Sequence, residues 1–402
     1  MSITSENNKV DAHNITIDHL KCNCVSYSIP DEEYETPIKV SINKEEMLVG
    51  VVNNKKNIVL YKIVDKQLIY NNIIYTGSSN KVVGLEWSNK NDLLVVTIDM
   101  NCIIYNKNEN NKWECTSVNI PTEELPTCVC WHPYCNAFAI GFSSGVIFIC
   151  SRKEKQKWSI KKVLNHTGSI LFLEWSSSGC VLSTNSIDST SLLLCTLGLF
   201  DNESDIKTFQ NIEKIITENN FKSNDIINKI ECKGYIISHS AFSSSNEKVA
   251  IIANSFESNS KKQQIIISEF FKSPANIQFV TWIGQALQKC LFINEQKLLV
   301  YGYEMFPIVV EYINDYWAIT KVVLPEFNVK GLCVDFFYDK KNIQDIEAEC
   351  ENMDGNEIVS EIIAHSNNIL QMSLLKPDEY KQCGEFVTVS SDFNIVIWSF
   401  SL

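Results

Sequence analysis

Near its end the chain carries a histidine, a hydroxyl and a carboxylate in order, His365, Thr388 and Asp392, followed by Trp398. A base, a nucleophile and an orienting acid are the parts of a hydrolytic triad. The same residue types also build a buried hydrogen-bond network, histidine to hydroxyl to turn carboxylate to indole, that fixes a turn between strands. The sequence has no Gly-rich phosphate loop, no nucleophile elbow and no paired histidines at metal spacing. We therefore read His365, Thr388, Asp392 and Trp398 as structural and expect no catalytic residue and no cofactor. His166 and Trp175 join that network by analogy, since His166 precedes Trp175 by the same interval as His365 precedes Leu374. Among 15 cysteines, only Cys22-x-Cys24 and Cys128-x-Cys130 approach metal spacing. Period two puts both thiols of each pair on one strand face, and neither has a second pair nearby, so the reading is free core thiols and no metal.

The elements that must position these residues are set by a repeat. Val82-Val83-Gly84-Leu85-Glu86-Trp87, Thr127-Cys128-Val129-Cys130-Trp131 and Ile170-Leu171-Phe172-Leu173-Glu174-Trp175 share one alternation, with 44 residues from Trp87 to Trp131 and 44 more to Trp175. A period in the low forties filled by four short strands is that of a WD-repeat β-propeller blade. The expected fold is all-β: a seven-bladed WD-repeat β-propeller with two inter-blade insertions.

The expected layout is a polar tail over 1–14 and a single propeller over 15–402. Ile15-Thr16-Ile17 is assigned to the strand that closes the last blade, and either Cys22–Tyr27 or Pro37–Ser41 opens blade one. An insertion near 201–233 has Ile212, Ile215, Ile216 and Phe221 at helical spacing. A second, near 325–360, gathers Leu332, Val334, Phe336, Phe337 and Tyr338 in one short segment. As a helix it would set Leu332 and Phe336 one turn apart, and these residues would either dock in a partner's groove or fold back on blades six and seven. The net charge of −13 argues against a nucleic-acid surface, and the basic runs Arg152-Lys153 and Lys161-Lys162 read as solvated turns. The longest apolar runs fall well short of the roughly 18 residues needed to cross a bilayer, and the N-terminus lacks a signal pattern. The expectation is a soluble intracellular protein that binds no membrane.

Several stretches resemble subunit 1 of the actin-related protein 2/3 (Arp2/3) complex. Thr127 to Pro133, Asn136 to Gly141, Val146 to Cys150 and Lys157-Trp158 are similar to its third blade, Leu171 to Trp175 to its fourth, and Gly234 to Ser243 to its fifth. Gly302-Tyr303-Glu304-Met305-Phe306-Pro307-Ile308-Val309 is similar to a run in its sixth blade, and Gly331-Leu332 with Phe336 or Phe337 matches the start of its protruding insertion. The resemblance implies a non-catalytic scaffold that supports actin filament nucleation and branching in the cytoplasm, with the nucleus left open. It implies actin-related proteins and small helical subunits as partners, and the actin filament as a further contact of the insertion. The family's surface and insertion are usually basic, whereas this insertion carries Asp335, Glu347 and Glu349. Like-charge contact with acidic actin or an acidic activator is disfavoured, so the scaffold role carries over better. The competing reading is a WD-repeat adaptor of another assembly, of ubiquitin-ligase or RNA-processing type.

Overall fold

The computed structural model describes residues 18–28, 39–325 and 365–400, with breaks at 44, 53–56, 65–66, 76–80, 155–156, 201–209, 258–261, 273–274, 304–305, 366, 368, 377–383 and 393. Six runs of four antiparallel strands form blades one (Lys39–Ile74), two (Val82–Val118), three (Pro126–Asn165), four (Ile170–Glu231), five (Tyr235–Ile283) and six (Leu287–Pro325). Three more strands between Ile369 and Phe400 begin blade seven. The seven-bladed propeller expected from the repeat is the fold.

The second strands show why the blades need one another. Leu48–Val52, Leu93–Thr97, Ala137–Phe142 and Val181–Ser186 bury every side chain, so both faces of each blade are covered. The cover comes from neighbouring blades. Among the described residues the apolar side chains fall into clusters that sit at the boundaries between consecutive blades. Val49, Leu60, Trp87 and Leu93 illustrate the first boundaries, and Leu298, Val300 and Ile252 the boundary of blades five and six. The ring closes where Val40, Ile42 and Tyr61 of blade one pack with Val387, Val389 and Ile395 of blade seven. Each such fully buried aliphatic or aromatic side chain contributes about 1.5–3 kcal/mol.

The closing strand is Asp18–Ser28. Its first half runs parallel to the outer strand of blade six, Asp18 opposite Lys321 through Cys22 opposite Pro325. Its second half pairs antiparallel with the third strand of blade seven, Asn23 opposite Ser399 through Ser28 opposite Asn394. Blades six and seven thereby share one eight-stranded sheet. This decides between the two candidate openings of blade one. Cys22–Tyr27 belongs to the closure, leaving Lys39–Asn43 to open blade one, while Ile15–Ile17 lies outside the described residues.

The stretch 201–233 also differs from expectation. It contains the helix Gln210–Glu218, whose Ile212 and Ile216 are buried at the boundary of blades four and five with Ile215 and Phe221 against them. Yet Ile226–Glu231 is the outer strand of blade four, with Ser191 opposite Ile230 and Leu193 opposite Asn228. The insertion therefore sits within blade four, between its third and outer strands. Arg152 and Lys161-Lys162 likewise lie within the strands Val146–Glu154 and Lys157–Asn165 rather than in turns.

On one face of the ring, here the lower face, the turns between first and second strands are clasped from blade to blade. Asn43 donates to Asn91 Oδ1 at 2.8 Å, and Asn89 Nδ2 to Pro133 O at 2.9 Å. His132 faces Gly179 O through Nε2 at 3.1 Å, Ser178 N donates to Asn246 Oδ1 at 3.0 Å, and Ser245 Oγ to Glu295 Oε2 at 2.9 Å. Blades one to six are joined this way. Asn91, Gly179 and Asn246 occupy the same turn position at φ of 64°, 74° and 62°, where glycine and asparagine are tolerated best. His132 Nδ1 accepts from Tyr134 N and Cys135 N, which leaves the proton on Nε2 for Gly179 O.

Two predictions follow the His132–Gly179 clasp. A methyl group on Gly179 would overlap His132 Nε2 and the backbone there is left-handed. Gly179→Ala should therefore lower unfolding free energy by about 2 kcal/mol or more, read by urea denaturation; an unchanged midpoint would refute the clasp. Burial pushes the His132 imidazole down to about 4, and His166 and His239 shift in the same direction. An unfolded histidine takes up its proton near 6.5, so native stability is lost as pH falls from about 6.5 to about 4. The thermal midpoint should drop across that window, and His132→Phe should make the drop shallower.

Candidate functional site

The upper face carries the turns between second and third strands and the connections from each blade to the next. There the backbone brings His365 beside the turn at Asp392. His365 Nδ1 lies 3.4 Å from Asp392 Oδ1, its Nε2 lies 2.7 Å from Thr388 Oγ1, and Trp398 Nε1 donates to that same oxygen at 2.9 Å. His365, Thr388 and Trp398 are fully buried, and Trp398 stacks on Phe386 with ring centres 5.6 Å apart. A proton order follows: indole N–H to hydroxyl, hydroxyl to Nε2, Nδ1–H to carboxylate. The hydroxyl is sealed from solvent and already accepts from the indole, so a substrate carbonyl cannot approach it. The set fastens the turn.

Blade four repeats the set without its last member. His166 Nε2 lies 2.8 Å from Thr184 Oγ1 and Nδ1 lies 3.3 Å from Asp188 Oδ2, while Asp188 also accepts from Thr167 N at 3.0 Å. The register Thr184 to Leu192, like Thr388 to Val396, puts Leu194 where blade seven has Trp398. The structure does not bring Trp175 to His166. Trp175 ends its strand at the lower face, packed on His132 at 4.8 Å and Phe200 at 6.0 Å, and its indole nitrogen makes no hydrogen bond to the protein. The tryptophans spaced by 44 do a different job: Trp87 Nε1 donates to Ser41 O of blade one and Trp131 Nε1 to Glu86 O of blade two. Trp87 and Trp131 thus tie the first strands of blades two and three to the one before; the Trp175 indole makes no such bond.

Leu332, Val334, Phe336, Phe337 and Tyr338 lie outside the described residues. What the sequence reading missed is the channel wall. Lys39, Glu86, Cys128, Cys130, Phe172, Glu174, His239, Lys289 and Cys290 come from the first strands of blades one to six. The signal was present in the repeat: Glu86, Cys130 and Glu174 each directly precede the spaced tryptophan, and Gly84, Cys128 and Phe172 stand two residues earlier.

Charge is balanced in this wall, with Lys39 and Lys289 against Glu86 and Glu174. Burial pushes Lys289 down to about 8, helped by Lys39 and opposed by Glu86 and Glu174. Burial also lowers Lys39, opposed by Cys128 and Glu86. Cys128 is pushed up to about 11 by burial, and Cys130 and Cys290 move in the same direction, which keeps these thiols protonated. Among the described residues no group of three or more His, Cys, Asp or Glu side chains is placed to hold a metal ion, and no helix is long and apolar enough to cross a membrane.

The tetrad of blade seven yields a test. Thr388→Val strands both the His365 Nε2 and the Trp398 N–H, and should cost about 2–4 kcal/mol in thermal or urea unfolding. Thr388→Ser should recover most of that loss.

The sequence model of the anaphase-promoting complex subunit 4 WD40 domain matches residues 85–178. Subunit 1A of the Arp2/3 complex of Arabidopsis thaliana is 25% identical over 144 residues, 35% of this chain and 38% of that protein. The chain thus spans less than two fifths of that plant relative. Subunit 1A-A of the complex from Xenopus laevis is 20% identical over 370 residues, 89% of this chain and 92% of that one. Subunit 1 from Schizosaccharomyces pombe is 27% identical over 116 residues, 28% of this chain and 31% of that one. Among solved structures, a chain in the crystal structure of the mitotic checkpoint complex superposes with TM-score 0.60 at 12% identity, covering 100% of this chain and 97% of its own. The Cps50 (Swd1) β-propeller domain of Myceliophteria thermophila does so with TM-score 0.57 at 9% identity, over 94% and 100%. These two establish the fold alone. The chain is similar over most of its length to subunit 1 of the Arp2/3 complex, and its fold is a seven-bladed WD-repeat propeller.

Proposed function

We propose that this chain is the WD-repeat scaffold subunit of an Arp2/3 complex and supports actin filament nucleation and branching without catalysing a reaction. The observation that carries the reading is the match to the Xenopus subunit over 89% of this chain and 92% of that protein. The sealed hydroxyl of Thr388 and the protonated channel thiols are consistent with a protein that works through surfaces. Its partners on this reading are actin-related proteins and small helical subunits, with the actin filament as a further contact and no nucleic acid or membrane. Its place is the cytoplasmic actin cytoskeleton, with the nucleus as a second compartment left open. Leu332, Val334, Phe336, Phe337 and Tyr338 are assigned to partner docking, on the apolar character of their segment alone.

Tagged protein purified from its own cells and analysed by mass spectrometry should carry two actin-related proteins and the small subunits in near-equal amounts. A Leu332→Asp/Phe336→Asp variant should lose part of that set while keeping the thermal midpoint of the ring. Recovery of ubiquitin-ligase or RNA-processing subunits in their place would overturn the proposal and favour the adaptor reading.

A further inference from the structure

Lys289, on the first strand of blade six, reaches over the ring of Phe172 on blade four, with Nζ 5.1 Å from the ring centre. Phe172 in turn lies against His239 of blade five, ring centres 4.1 Å apart, and His239 Nδ1 is 3.5 Å from Cys290 Sγ. Blades four and six are not neighbours, so the amine and the aromatic ring meet over His239 of the intervening blade five. Among the described residues no carboxylate oxygen stands within 4.0 Å of the Lys289 ammonium and no acceptor hydrogen-bonds to it. The side chain is half-buried. The charged and titratable groups facing it are Lys39 from blade one, Glu86 from blade two, Glu174 from blade four, His239 from blade five and Cys290 beside it.

We propose that Lys289 is a site of lysine acylation, a channel amine that attacks small acyl thioesters. The aromatic face solvates the ammonium less well than water does, and no ion pair holds its proton in place. With the amine pushed down to about 8, a sizeable fraction is free base near neutrality, against well under 1% for an ordinary lysine at about 10.4. The neutral nitrogen attacks the thioester carbonyl carbon; the N–C bond forms, the C–S bond breaks, and the sulfur leaves with the electron pair. The nitrogen sheds one proton, which the thiolate takes up as the free thiol. The amide product is neutral, so the wall passes from two ammonium groups facing two carboxylates to one facing two. Phe172 supplies a flat apolar surface for the new acyl group. This inference does not depend on which assembly holds the ring.

The test is competitive labelling of the intact wild-type chain with limiting S-acetyl-N-acetylcysteamine between pH 6.5 and 10, with each lysine followed by peptide mass spectrometry. At pH 8 Lys289 should acetylate about tenfold faster than exposed Lys157, with a rate that levels off above about pH 8.5. In 8 M urea the preference should vanish. Labelling of Lys289 no faster than Lys157, a rate still climbing at pH 10, or a preference that survives urea would overturn the proposal.

Discussion

A four-stranded blade whose middle strands are apolar on both faces cannot be stable alone, and everything else in this molecule depends on that. Each face of Leu93–Thr97 or Ala137–Phe142 finds its cover on the next blade, so the apolar core is divided among the blade boundaries rather than gathered in one place. Removing any one boundary would expose two sheet faces at once. The ring has to close, and blades seven and one meet through the buried side chains of Val387, Val389, Val40 and Ile42.

Polar groups take over where the apolar boundaries end. On the lower face the clasp from Asn43 to Glu295 fixes the tilt between successive first strands. On the upper face the sets around His365 and His166 fix individual turns within blades seven and four. The first kind of bond sets the spacing between blades and the second sets the shape of one blade. Both satisfy buried donors that would otherwise cost about 1–3 kcal/mol each.

The repeat was legible because one aromatic position and two flanking alternations recur at constant spacing, as at Trp87, Trp131 and Trp175. The residue types of blade seven's network were legible too, since a buried turn carboxylate and an indole leave a recognisable order. Trp175 was misplaced because sequence distance from His166 carries no information about which end of a strand a side chain occupies. Ile226–Glu231 was missed because the polar pair Asn228-Lys229 breaks the alternation of its isoleucines and the strand follows a helix. The channel wall was hidden for a third reason. Its members are spread over six blades, so no window of sequence shows Lys289, Phe172 and His239 together, and only the folded ring makes them neighbours.

The strand Asp18–Ser28 is made before any blade, yet its partners Lys321–Pro325 and Asn394–Ser399 lie at the end of blade six and in blade seven. Until they are made this segment has nothing to pair with, and the edges of blades six and seven that it will cover do not exist. Ring closure is therefore non-local, which makes it a slow event and leaves unpaired strand edges exposed in the interim. A chaperone that shields such edges would act on this protein at one moment, between the making of blade seven and docking of the strand.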